Sequence, residues 1–96
     1  MPDQQVPEEL LALREQIDRI DDELVELLGR RFEVTAKVGR LKATSGLESV
    51  DPVREQQKLE RLRSLAEAKG LNSEFTLELF QTIFDEVVKN HRSYLK

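Results

Sequence analysis

Cysteine is absent from this 96-residue chain, and histidine occurs once. No disulfide framework, thiolate nucleophile or cysteine-based metal site can be built, and one imidazole cannot form a histidine cluster. Tryptophan is also missing, so the four Phe and one Tyr leave little to stack on bases or sugars. No apolar run approaches the roughly 18 residues of a membrane span. The polar, proline-containing start lacks the apolar core of a signal peptide. A cytoplasmic protein with no membrane partner is expected. Positive charge is in deficit: 15 basic against 19 acidic residues give a net charge of −4. Nucleic-acid binding needs a clustered cationic face, so it is not expected. Phosphate-cradling glycine loops, paired nucleophile and base, and His/Asp/Glu metal spacings do not occur either. The sequence therefore predicts neither metal nor cofactor.

What is present is a long helical seam from Leu10 to Leu41. Every seventh residue from Leu10 gives Leu10, Ile17, Leu24, Arg31 and Val38; every seventh from Leu13 gives Leu13, Ile20, Leu27, Val34 and Leu41. Nine of these ten positions are apolar, the pattern of a helix that packs lengthwise on another. Gly29 is tolerable at about 1 kcal/mol against Ala. Gly39 marks either fraying or a close helix approach. A helix from Glu9 to Lys42 is roughly 50 Å long, whereas a compact chain of this size is roughly 32 Å across. The seam outruns what one chain can cover, so a two-fold homodimer is expected.

Arg31 is the one charge in that seam. A guanidinium among leucines costs several kcal/mol unless something anionic meets it. Glu55 or Asp51 could supply a structural ion pair, Arg31 could set the register, or a small anionic ligand could bind there. The neighbouring cations favour the ligand. Lys42 lies eleven residues on, about 20° around the helix and roughly 16 Å along it. Arg14, seventeen residues before Arg31, is roughly 25 Å away and cannot reach the same ligand within one chain. In an antiparallel dimer the partner's Arg14 can.

Taken in order, residues 1–7 read as a frayed tail ahead of a first helix starting at Pro7 or Glu8, and the whole chain as one domain. Ala43–Val50 reads as a loop. Asp51-Pro52 restarts a helix, with Asp51 as cap and Arg54 and Glu55 in its first turn. That helix runs to Lys69, with Gly70 just beyond its end. Asn72 or Ser73 caps a third helix whose apolar face carries Phe80, Ile83/Phe84, Val87, His91 and Tyr94/Leu95. Asp85 and Glu86 fall on its solvated flank. His91 on such a face is either a satisfied core residue or a functional one.

At this point the chain resembles the all-helical (AroQ-type) chorismate mutases. The resemblance rests on LLALREQIDRIDDELVELLGRR, VGRLK, DPVRE and GLNSEFTLELFQTIFDEV, in order and at matching separations from Leu10 to about His91. It implies an all-α fold of one long and two shorter helices per chain, intertwined as a two-fold homodimer. It also implies the rearrangement of chorismate to prephenate without a cofactor. By the same resemblance, Arg31 and the partner's Arg14 hold the two carboxylates of the dianionic substrate. Lys42 donates to the ether oxygen and a carboxylate. Asp51 and Glu55 accept from the ring hydroxyl, Arg54 orders that corner, and Val38 lines the wall. Two positions depart from the family's usual pattern. His91 stands where Gln commonly gives a second ether-oxygen donor, and Val87 stands where a small hydroxyl residue is common. Two other activities on the same scaffold stay open, isochorismate-pyruvate lyase and amino-deoxychorismate mutase, as does a non-catalytic helical dimerisation module.

Overall fold

The computed structural model describes residues 6–46 and 51–93. The described residues form three helices and no strand: α1 (Glu8–Ser45), α2 (Pro52–Ala68) and α3 (Ser73–Ser93). The expectations for residues 1–5, for the loop at 47–50, and for Tyr94 and Leu95 lie outside them.

Helix α1 has 38 residues and a rise of roughly 57 Å. The Pro7 carbonyl accepts the first helical hydrogen bond, from Leu11 N at 3.1 Å, and Glu8 and Glu9 sit in the first turn, where the helix dipole favours acidic groups. The far end differs from the expected loop at Ala43–Val50. Ala43, Thr44 and Ser45 remain helical, because the end of the seam is not the end of the helix. The Thr44 hydroxyl donates to the Leu41 carbonyl (3.0 Å), and Gly46, at φ +70°, leaves the right-handed region.

Asp51 caps α2, its carboxylate accepting the Arg54 amide at 3.1 Å, with Pro52 in the first turn. At the other end Leu71 N donates to Ala66 O (2.8 Å) and Gly70 N to Glu67 O (3.2 Å). With Gly70 at φ +72°, this is a Schellman closure. For α3 the structure chooses Asn72 over Ser73 as cap: Asn72 Oδ1 accepts the Phe75 amide at 2.9 Å.

Two compact units divide the chain, residues 1–33 and residues 34–96. The second contains the end of α1 together with α2 and α3. Helices α2 and α3 pack on each other around Ala66 and Phe84. The Phe80 and Phe84 rings meet at 6.1 Å and 55°, and Lys58 Nζ lies 5.2 Å from the Phe84 ring centre. Among the described residues Ala66 and Phe84 are the buried apolar side chains. By contrast, all nine apolar seam residues of α1 are between 39% and 65% exposed. A face that regular, left in water, is unusual for a folded chain.

Candidate active site

In the first unit, Arg14 is exposed and Arg31 is half-buried on α1. Burial pushes the Arg31 guanidinium below its ordinary range, because removing it from water disfavours the charged form. A group this basic keeps its proton at working pH, so the penalty falls on a cation that stays charged.

The second unit carries Val38, Lys42, Asp51, Arg54, Glu55, Val87 and His91. Lys42 lies in the last turn of α1, where the helix dipole favours a cation, and is half-buried. Val38, one turn earlier, is exposed. Asp51 and Arg54 are exposed and held together through the cap, so part of the Asp51 carboxylate is already used in starting α2. Glu55 is half-buried and borders a shallow depression with Asp85, Val88, Lys89 and Arg92. Val87 is half-buried on α3, one turn before His91.

His91 is the most buried of these residues, at 5% exposure. Its Nε2 lies 2.8 Å from the Thr35 carbonyl oxygen. A carbonyl oxygen only accepts, so the imidazole must carry its proton on Nε2 and donate it to Thr35. In the neutral ring Nδ1 is then an acceptor; it becomes a donor only when the ring is charged. This tautomer had no signature in the sequence. A side chain can be read from its letter, but the acceptor here is main chain, and Thr35 supplies it through a group common to all residues.

Among the described residues no group of His, Cys, Asp and Glu could hold a metal ion, and no helix is long and apolar enough to cross a membrane.

The described residues are all-helical in class, one long helix followed by two shorter ones. The family described as chorismate mutase type II matches residues 13–92, a span that contains every candidate site residue from Arg14 to His91, and the chain belongs to that family. It is 38% identical over 87 residues to the bifunctional chorismate mutase/prephenate dehydratase of Escherichia coli (strain K12), covering 91% of this chain and 22% of that protein. Against the T-protein of Enterobacter agglomerans the identity is 38% over 78 residues, 81% of this chain and 21% of that protein. Against the T-protein of Haemophilus influenzae it is 31% over 87 residues, 91% and 23% respectively. The chain thus spans about a fifth of the length of these curated relatives.

Proposed function

We propose that this chain is a chorismate mutase, converting chorismate to prephenate in a unimolecular rearrangement in which a C–O bond breaks as a C–C bond forms. The observation that carries this reading is the family match over residues 13–92, which includes all nine candidate site positions in order. The reaction transfers no proton and needs no nucleophile. It requires a flexible dianion to be held in a compact, chair-like shape, and negative charge growing on the ether oxygen to be stabilised.

Arginine suits the first task, since its planar fork pairs with a carboxylate bidentately and fixes its direction. Arg31 and the partner's Arg14 grip the two carboxylates and restrict the ligand towards the reactive conformer. The dianion in turn repays the desolvation of Arg31. Lys42 supplies the second task as a preorganised donor to the ether oxygen, worth roughly 3–4 kcal/mol in a water-poor site. His91 is the second donor. Because Nε2 is held by Thr35, it acts through Nδ1 as an imidazolium. Asp51 and Glu55 receive the ring hydroxyl, Arg54 orders them, and Val38 and Val87 form apolar wall.

The working unit in this reading is a homodimer. The exposed α1 seam supports it, as does the small apolar core of the described residues, since so regular an apolar face calls for a partner. The test is loss of chorismate absorbance with identification of the product, isochorismate and amino-deoxychorismate being run alongside. Prephenate from chorismate alone supports the reading. Turnover of only isochorismate or amino-deoxychorismate would reassign the scaffold to one of the other two reactions, and no turnover of any would favour a dimerisation module.

A further inference from the structure

Helix α1 contains two interior glycines that differ sharply. A Cβ at Gly29 would meet nothing within 4 Å. Gly39 is the buried residue of the helix. An interior glycine costs about 1 kcal/mol against alanine, so a buried one calls for a reason.

The reason lies four residues back. In an α-helix the side chain at position i+4 springs from beside the carbonyl of position i. Helix α3 shows this twice: the Thr82 hydroxyl reaches the Glu78 carbonyl at 3.0 Å, and the Thr76 hydroxyl reaches the Asn72 carbonyl at 2.9 Å. For Thr35 the residue at i+4 is Gly39. The His91 Nε2 sits 2.8 Å from that same Thr35 carbonyl oxygen, the group beside which a side chain at position 39 would spring. The carbonyl's two lone pairs then serve the helical N–H of Gly39 and the imidazole. We propose that Gly39 is a positioning residue: its missing side chain admits the His91 imidazole to the Thr35 carbonyl, which fixes the ring's tautomer and aims Nδ1. On the reading that the chain is a mutase, Gly39 thereby orients a substrate-facing donor, although the packing itself does not depend on that reading.

The single histidine makes a direct test possible, because nitrogen-15 long-range NMR spectra of the intact protein contain one imidazole. At a pH high enough to discharge the ring, the wild type should show His91 with its proton on Nε2, protected from exchange. Gly39→Ala should give mixed tautomers or rapid exchange. It should also lower Tm in the wild-type background, yet raise it or leave it unchanged in a His91→Ala background, where alanine's better helix propensity is no longer opposed. An unchanged imidazole spectrum in Gly39→Ala, or an equal Tm loss in both backgrounds, overturns the proposal. If Gly39→Ala fails to fold, recovery of folding in the Gly39→Ala/His91→Ala double variant supports it and failure of the double variant overturns it. Activity separates the two readings: a displaced imidazole with kcat intact would keep Gly39 as positioner and remove His91 from the mutase site.

Discussion

The Nε2 of His91 donates to the Thr35 carbonyl across 2.8 Å, which commits the nitrogen that a neutral imidazole would use as its donor. Whatever His91 gives to an anionic ligand it gives through Nδ1, and only while the ring is charged. On the proposed reading the charged ring is the donating form, so kcat/KM should be lower in alkaline than in acidic solution. His91→Gln, a neutral amide donor at every pH, should flatten the profile. A flat wild-type profile from pH 5 to 9 would show that His91 donates nothing to the reacting oxygen.

Features that depend on neighbours in sequence were legible. The Asp51 cap, the Gly70 terminus and the α1 seam all follow from residue type at fixed spacing, and the structure has each. Choosing between Asn72 and Ser73 required side-chain reach, and Asn72 has it. The end of α1 was misplaced because the heptad reports where apolar contacts stop, whereas the helix stops where a residue can turn left-handed, at Gly46. Gly39 was ambiguous between fraying and close approach until its burial and the histidine bond at Thr35 were known.

The observed cap and the proposed ligand contact of Asp51 can be separated by two substitutions. Asp51→Ala removes the acceptor for the Arg54 amide and should cost about 1 kcal/mol, lowering Tm by roughly 4–8 °C. Asp51→Asn keeps the cap, since asparagine serves equally well at that position. It should leave Tm within a degree or two but raise KM if the carboxylate also accepts the ring hydroxyl. Thermal melts and steady-state kinetics on the two variants decide it; an unchanged KM in both would confine Asp51 to capping.

Lys42 and Arg31 should respond oppositely in stability and alike in turnover. Lys42→Ala should lower kcat by about 100- to 1,000-fold with a much smaller change in KM, because the contact proposed for it, to the ether oxygen, strengthens only in the transition state. It should also slightly destabilise α1, whose last turn loses a cation. Arg31→Leu relieves the desolvation that pushes the guanidinium down. The substitution should therefore raise stability, with turnover abolished. The gain should be equal at pH 6 and pH 9, since an arginine depressed from so high a starting value does not titrate between them. Denaturant midpoints at the two pH values, together with kcat, test both statements. A more stable Arg31→Leu variant that still turns over chorismate would remove Arg31 from the site.

The proposed homodimer makes the sharpest prediction, because it would assign two arginines of one site to different chains. Arg14→Ala and Arg31→Ala homodimers should each be inactive, since every site in them lacks one carboxylate partner. In a heterodimer of the two, one site combines the intact Arg31 of the first chain with the intact Arg14 of the second; the other site has neither. Equal mixing with free exchange makes half the dimers mixed, each with one working site of two, so activity should return to about a quarter of wild type. Subunit exchange is verified independently by mass-tagged chains. Exchange without recovered activity would mean that Arg14 serves its own chain or none, and the exposed seam of α1 would need a different occupant.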